Sequence, residues 1–183
     1  EGYNISIGRV ETPYAILLNS DVEVSPNWIQ PMLNFMEEHQ NVIAVQPKIL
    51  QYKDKTKFEY AGGAGGFLDK FGYPFCRGRI FSTIEEDKGQ YNDIRQIFWA
   101  SGACMMVRRV DFIDYGGLDE NFFTHQEEID FCWRVNSRGR KVYYVPTSVV
   151  YHLGGGTLNQ SNPKKTYYNF RNNMLMIYKN LNT

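Results

Sequence analysis

The feature of this sequence that most constrains its fold is an apolar run that stops abruptly in polar residues. Residues 14–18 (Tyr-Ala-Ile-Leu-Leu) are followed directly by residues 19–23 (Asn-Ser-Asp-Val-Glu). A short apolar run bounded by polar residues predicts a strand buried on both faces of an α/β sheet. Because ligands of such sheets lie beyond the carboxyl ends of the strands, Asn19, Asp21 and Glu23 are candidates to hold a cation and a phosphorylated ligand. A polar turn followed by a helix cap is the alternative interpretation.

The length and charge of the chain limit the classes of function. Its 183 residues suit one domain with a substantial core, and its 20 basic and 20 acidic residues cancel. A balanced charge predicts neither a nucleic-acid partner nor a polybasic membrane surface. The three cysteines form no Cys-x-x-Cys pair, which argues against a disulfide framework or zinc site and favours a reducing compartment. The chain starts at Glu1 on sequence typical of mid-domain, so we expect a piece of a longer protein.

Periodicity and breaker residues predict alternating helices and strands. Ser25 and Pro26 read as an N-cap and a first-turn proline, which predicts that a helix begins there. A single strand follows, and regularity then fades over residues 52–96. The predicted helices cover 26–39, 109–115, 127–137 and 163–180, the last amphipathic, and the predicted strands cover 42–46, 141–145 and 148–151.

The long segment 52–96 is predicted to be irregular but functional, because such loops are uncommon in compact domains and this one is rich in aromatic residues. It contains Arg77 and Arg79 on either side of a glycine. Two guanidinium groups at this spacing can clamp a diphosphate through forked hydrogen bonds. A solvated basic loop explains the same residues equally well.

An acidic cluster opens the predicted helix 127–137. Asp130 can pair with Arg134 four residues later, an ordinary helical ion pair. Glu128 has Phe131 and Cys132 at the corresponding positions, so its carboxylate lacks a partner along the helix and can accept a proton. Stabilisation of first-turn acids by the helix dipole is the alternative explanation.

His152 ends the last predicted strand and is followed by Leu153 and three glycines. A neutral imidazole can complete a metal site that carboxylates begin, and glycines allow backbone amides to approach phosphate. A lone histidine with a structural role is the competing interpretation.

The order of these motifs resembles that of a family 2 glycosyltransferase with the GT-A fold, close to its rhamnosyltransferase-like branch. The likeness covers nearly the whole chain. Residues 18–24 match the acidic donor-site motif, usually written DXD, and 127–134 resemble the catalytic helix with its acidic pair. Further matches are the Gly-Ala segment at 99–104, the GG-hydrophobic-DE-x-FF pattern at 116–123, and the closing motifs at 149–152 and 169–173.

Three departures from the family pattern stand out. Asn19 replaces the usual first Asp of the donor motif, and Glu128 replaces the usual Asp of the catalytic pair. The resemblance also implies that the chain begins after the N-terminal β-α-β half that carries the base-binding contacts in the family. We therefore expect an open sheet edge, which invites self-association into a homo-oligomer.

The resemblance implies one α/β domain over residues 1–183, the C-terminal two-thirds of a GT-A fold with a mixed central sheet flanked by helices. It implies an inverting transfer of sugar from a nucleotide-diphosphate donor to an acceptor hydroxyl. Glu128 would be the general base. Mg²⁺ or Mn²⁺ would sit on Asp21 and His152 and neutralise charge on the leaving nucleotide.

The remaining site residues follow from the same resemblance. Asn19, Glu23, Arg77 and Arg79 are assigned to the donor, and Trp99, Gly102 and Asp130 to the acceptor, a saccharide or lipid-linked sugar of bacterial cell-surface polysaccharide synthesis. The implied location is the cytoplasm or the inner face of the membrane, with peripheral membrane association. A catalytically silent saccharide-binding module is the alternative. A phosphotransferase is disfavoured, because the chain has no Gly-x-x-x-x-Gly-Lys loop.

Overall fold

A computed structural model describes residues 2–154 and 163–181, which build one mixed sheet with helices packed against it. The helices are α1 (Gly2–Arg9), α2 (Ile29–Glu38), α3 (Arg109–Asp114), α4 (Glu127–Ser137) and α5 (Pro163–Asn180), with a 3₁₀ turn at Glu120–Phe122. The strands are β1 (Tyr14–Leu18), β2 (Val22–Val24), β3 (Val42–Gln51), β4 (Gly66–Leu68), β5 (Pro74–Cys76), β6 (Arg79–Ile80), β7 (Thr83–Ile84), β8 (Arg95–Ile97), β9 (Cys104–Arg108) and β10 (Lys141–His152).

The central sheet has the strand order β1-β9-β3-β10-β2, and β8 also pairs with β10. β3 and β10 run parallel, whereas the other pairings in this sheet are antiparallel. The fold class expected from the sequence, an α/β fold with a mixed central sheet, is thus confirmed. The buried core fills both faces of β3, whose first nine residues are all buried.

The apolar run 14–18 forms strand β1, as predicted, but it is not buried on both faces. Only Leu17 is fully buried, because β1 is the edge strand of the described sheet and pairs with β9 alone. The polar residues that follow form a turn, in which the Val22 amide donates to the Asn19 carbonyl at 3.3 Å, but no helix cap. They pass into β2, which pairs antiparallel with the end of β10, and Asp21 therefore lies between two strands.

Helix α2 begins three residues later than the sequence predicted. The Ser25 hydroxyl donates to the Val149 carbonyl at 2.7 Å and does not cap the helix. Asn27 adopts a left-handed φ of 58°, and the helix then starts at Ile29 without a side-chain cap. The preference of Ser for an N-cap is overridden here by a tertiary hydrogen bond to β10.

The two strands predicted around Pro146 form the single long strand β10. Its pairing with β3 shifts register between Val145 and Val149, so the proline is accommodated at an irregularity instead of ending the strand. β10 is thereby long enough to carry His152 to the same end of the sheet as Asp21.

Residues 52–96 fold over the sheet as short strands and turns. β4 pairs with β5, β6 pairs with β7, and β8 joins the central sheet. Gly66 is needed where this segment meets Trp99, because a Cβ at that position would lie 2.0 Å from the indole ring. In the described ranges, we find no helix that is long and apolar enough to cross a membrane.

Candidate active site

A cavity of about 620 Å³ opens where β1 and β10 end, and the start of α4 closes its opposite side. Five of the residues singled out from the sequence line it, although they lie far apart in the chain. These are Asn19, Asp21, Gly102, Glu128 and His152. The cavity is therefore the candidate active site.

The wall formed by the strand ends brings Asp21 and His152 together. The register of β2 against β10 sets Val22 opposite His152, so Asp21 reaches the end of β10. The imidazole Nε2 lies 3.2 Å from Asp21 Oδ1, and the Asp21 carbonyl accepts a hydrogen bond from the Leu153 amide at 3.0 Å. Asn19 is fixed beside them by its backbone amide, which donates to the Ala103 carbonyl at 3.0 Å.

Glu59 stands behind His152 and was not found from the sequence. Its backbone amide donates to the Ile49 carbonyl of β3 at 2.9 Å, which brings the buried side chain against the neighbouring strand β10. Glu59 Oε1 lies 3.5 Å from His152 Nδ1, a charge contact rather than a hydrogen bond. Burial alone would lower the pKa of His152, but the Glu59 and Asp21 carboxylates outweigh it and raise that pKa.

The opposite wall carries two adjacent carboxylates at the start of α4. Burial, and next the negative charge of Glu127, raise the pKa of Glu128 to about 8, against backbone hydrogen bonds that include the Gly102 amide. Burial also raises the pKa of Glu127, and its Oε2 is buried without a hydrogen-bond partner. A carboxyl with such a pKa can exchange a proton near neutral pH.

The residues of the strand-end wall fit a divalent cation. A carboxylate oxygen and an imidazole nitrogen converge there, and both atom types are metal ligands in proteins. Among residues 2–154 and 163–181, no cluster of three or more His, Cys, Asp or Glu side chains could hold a metal ion. The protein side of a site at Asp21 and His152 would be an incomplete coordination shell, with the remaining positions left to a ligand.

Three residues assigned to the donor lie outside the cavity, which corrects the expectation from sequence. Glu23 is half-exposed on β2 and forms an ion pair with Lys55. The Arg77 guanidinium donates to the Ala64 carbonyl and pairs with Asp93. Arg79 donates to the Phe81 carbonyl, and its guanidinium stacks 4.0 Å from the Tyr60 ring.

The two arginines therefore have local structural partners. Both hold the segment 52–96 together through carbonyls of that segment. Neither lines the cavity, so the diphosphate clamp stays a prediction.

Two residues assigned to the acceptor are also structural. Trp99 is 5% exposed and donates its indole N–H to the Phe67 carbonyl at 2.9 Å, so no ring face is open to a sugar. Asp130 is fully buried and binds Arg134, Lys179 and Asn180. Its ion pair with Arg134 was predicted as the alternative from the i,i+4 spacing, and the pair extends here to helix α5.

Several cavity residues had no clear signal in the sequence. They come from α1, from the segment after β3, from the loop before α4 and from α5, and only their tertiary positions unite them. Glu127 and Asn169 fell within motifs that were recognised, but neither was assigned to the site. The missed residues include Tyr3, Lys53, Glu59, Tyr60, His125, Glu127, Lys165 and Asn169.

Comparison with known proteins agrees with the fold. Residues 1–116 match the family model described as glycosyl transferase family 2. The chain belongs to glycosyltransferase family 2. The fold is GT-A: it resembles a crystal structure of GalNAc-T7 with UDP, GalNAc and Mn²⁺, with a TM-score of 0.68, 16% identity and coverage of 96% of this chain and 34% of that one.

Curated relatives place this family 2 chain near rhamnosyltransferases. It is 28% identical to the N-acetylglucosaminyl-diphospho-decaprenol L-rhamnosyltransferase of Mycobacterium tuberculosis, over 76% of this chain and 46% of the relative. It is 26% identical to the rhamnosyltransferase WbbL of Escherichia coli, over 76% of this chain and 52% of the relative. The chain spans about half the length of these relatives.

Proposed function

We propose that the protein, at its full natural length, is an inverting glycosyltransferase that moves a sugar from a nucleotide-diphosphate donor to an acceptor hydroxyl. The observation that carries this proposal is the pairing of two unlike walls in one cavity. One wall holds Asp21 and His152, and the other holds Glu128 with a raised pKa. A donor diphosphate on the first wall and an acceptor on the second would leave the reacting atoms between them.

Asp21 and His152 would hold the donor through a divalent cation, Mg²⁺ or Mn²⁺, that neutralises charge on the leaving diphosphate. In the present arrangement the two side chains face each other at 3.2 Å, close enough to share a proton. Asn19 lies at the same wall and would contribute an amide to the donor side. The Mn²⁺ and UDP of the GalNAc-T7 structure support this assignment.

Glu128 would act as the base. The acceptor oxygen forms a bond to the anomeric carbon while the bond from that carbon to the diphosphate oxygen breaks, and the acceptor proton passes to Glu128. The departing diphosphate keeps the bonding electron pair, and the anomeric configuration inverts. A Cβ at Gly102 would lie 3.7 Å from the Glu128 carboxyl carbon, so the glycine leaves room for an acceptor beside the base.

The acceptor would be a saccharide or a lipid-linked sugar of cell-surface polysaccharide synthesis. The name of the mycobacterial relative includes such a lipid-linked sugar. Helix α5 contains no acidic residue and four basic ones, a composition typical of helices that lie on anionic membranes. Apolar side chains exposed by 61–75% follow one another along it and just beyond it: Tyr167, Phe170, Met174, Tyr178 and Leu181.

Peripheral association at the cytoplasmic membrane face is therefore part of the proposal, and so is self-association through the edge strand β1. Sedimentation with vesicles containing anionic lipid would test the first. Replacing Phe170 and Met174 together with Ser should reduce the bound fraction several-fold. Equal sedimentation of both forms would count against a membrane role of α5.

The function itself is tested by incubating the full-length protein with a panel of nucleotide sugars, with and without Mn²⁺ or Mg²⁺. We expect metal-stimulated release of the nucleotide from one donor, faster when a suitable acceptor is added. The matched Asp21→Ala protein should not bind that donor in a metal-dependent way. Glycan binding without release from any donor would instead support a silent saccharide-binding module.

A further inference from the structure

The loop that leads into α4 has an unfavourable backbone conformation. Phe123, His125 and Gln126 all have positive φ values, of 64°, 69° and 71°, although none of them is glycine. A positive φ is unfavourable for each of them, because their Cβ atoms then crowd the backbone. Helix α4 then starts directly after Gln126, which provides no side-chain cap. A loop of this kind keeps its shape only if other parts of the protein hold it.

Helix α5 provides these contacts. The Asn172 side chain is fully buried and donates from Nδ2 to the carbonyl oxygens of Phe122, Thr124 and His125 at 3.0, 2.7 and 2.7 Å. Its own Oδ1 accepts from Arg171 Nε at 2.9 Å, which fixes the orientation of the amide. Because Nδ2 carries two hydrogens, one of them is shared between two of these carbonyls, and a single side chain thus contacts three carbonyls of residues 122–125.

Two further side chains join the same elements through three hydrogen bonds. Arg171 donates to the carbonyls of Asn121 and Phe122, both at 2.9 Å. Gln126 donates from its side chain to the Asn169 carbonyl at 3.1 Å. All these hydrogen bonds run between α5 and residues 121–126, which directly precede Glu127. The direction in which α4 enters the cavity therefore depends on α5.

From these contacts we propose that Asn172 is a positioning residue that holds the 121–126 loop and thereby sets the place of the Glu128 carboxylate in the cavity. The inference rests on the proposed function, in which Glu128 takes the acceptor proton. Asn172 does not itself line the cavity. It acts through the backbone that precedes the base, and a shift of about 1 Å at a reacting group can slow catalysis by about 100-fold.

The chain offers a closely matched control in Asn173. This residue is the next one in the same helix, is 6% exposed, and donates from Nδ2 to a backbone carbonyl, that of Gly72, at 3.0 Å. Gly72 lies in the turn after β4, away from the cavity. Replacing either asparagine with Ala removes its hydrogen bonds to backbone carbonyls, but only Asn172→Ala loosens the loop before Glu127.

The experiment compares Asn172→Ala with Asn173→Ala in the full-length protein by two independent readouts. Hydrogen exchange of the amides of residues 122–128 should be at least about 10-fold faster in the first variant and unchanged in the second. At saturating donor, kcat of Asn172→Ala should fall about 10- to 100-fold below that of Asn173→Ala. The dissociation constant for donor with Mn²⁺ should agree between the two within about 3-fold, since Asp21 and His152 lie on the other wall.

Either of two results would overturn the proposal: unchanged exchange in Asn172→Ala, or faster exchange with kcat equal to that of Asn173→Ala. If Asn172→Ala does not fold, Asn172→Ser keeps one short donor and is measured in its place with the same criteria. Absence of turnover in the wild-type protein would count against the proposed function alone, and the exchange comparison would then decide whether Asn172 holds the loop.

Discussion

The two walls of the cavity are built in opposite ways. The strand-end wall is fixed by sheet pairing, because Asp21 and His152 lie at neighbouring ends of β2 and β10. The helix-start wall is fixed from a distance, because an unfavourable loop before Glu127 is held by side chains of α5. The comparison teaches that the position of the proposed metal-binding pair, Asp21 and His152, follows from strand register, whereas that of the proposed base, Glu128, depends on helix packing.

The two walls also differ in the charge state that they favour. On the strand-end wall an imidazole lies between two carboxylates, which favour its protonated form and raise its pKa. On the helix-start wall burial and a neighbouring carboxylate disfavour charge on Glu128. The carboxylates of the first wall thus attract positive charge, either a proton on His152 or a divalent cation that displaces it, whereas the second wall can take up a proton.

The variant Glu128→Gln distinguishes the two walls most clearly, because it changes only the helix-start wall. The variant should lower kcat by about 10²- to 10⁴-fold, because the amide cannot accept the acceptor proton. Binding of donor with Mn²⁺, measured by calorimetry, should stay within about 2-fold of wild type, since the amide keeps the shape of the side chain. Unchanged turnover would remove Glu128 from the mechanism.

Asp130→Ala tests the structural acid of the same helix. Its removal takes a shared buried carboxylate from Arg134 and Lys179. Arg134 keeps the Tyr115 and Gly117 carbonyls and Lys179 keeps Asp119, so the free energy of unfolding should fall by about 3 kcal/mol. Urea denaturation provides the measurement, with Glu128→Gln as a control that should lose no stability. A loss below about 1 kcal/mol would show that the buried network is not needed.

Glu59→Gln tests the support behind the strand-end wall. Loss of the carboxylate beside His152 Nδ1 should weaken Mn²⁺ affinity, with donor nucleotide present, by about 10- to 100-fold. Glu23→Gln is the matched control, because that acid is ion-paired to Lys55 outside the cavity and should change the affinity less than 2-fold. Equal effects of the two variants would contradict a supporting role of Glu59.

The smallest expected effect is a pH-dependent change of stability in Glu128→Gln. Because the pKa of Glu128 is raised from 4.5 to about 8 in the folded protein, wild-type stability falls as pH rises through that window. Burial is partial, so we expect about 1 kcal/mol, which corresponds to about 2–4 °C in Tm. The Tm difference between variant and wild type should therefore grow by that amount from pH 5 to pH 8, and a constant difference would refute the raised pKa.

Much of the fold could be predicted because its signals are local. The apolar run 14–18 and the periodic stretches at 109–115, 127–137 and 163–180 mark elements that the structure contains within a residue at each end. Errors arose where tertiary contacts decided. Ser25 bonds to β10 instead of capping α2, and Pro146 is absorbed at a register shift within one strand.

The same distinction between local signals and tertiary contacts applies to the site residues. Asp21, Glu128 and His152 could be found because each stands at the end of an element with a recognisable pattern. Trp99 and Arg77 have residue types suited to sugar or phosphate, but they have internal partners that no local pattern reveals. Glu59 was missed because its position depends on backbone pairing with β3 from within an irregular segment.

By itself, then, the sequence determined most of the longer elements, the family and the acids and histidine at the ends of those elements, since these depend on neighbouring residues in the chain. Only the tertiary structure decided which polar groups face the cavity and which form hydrogen bonds or ion pairs inside the fold. The physical reason is that partnership of a buried polar group depends on residues distant in the chain, as Asp130 with Lys179 and Asn172 with the loop before Glu127 show.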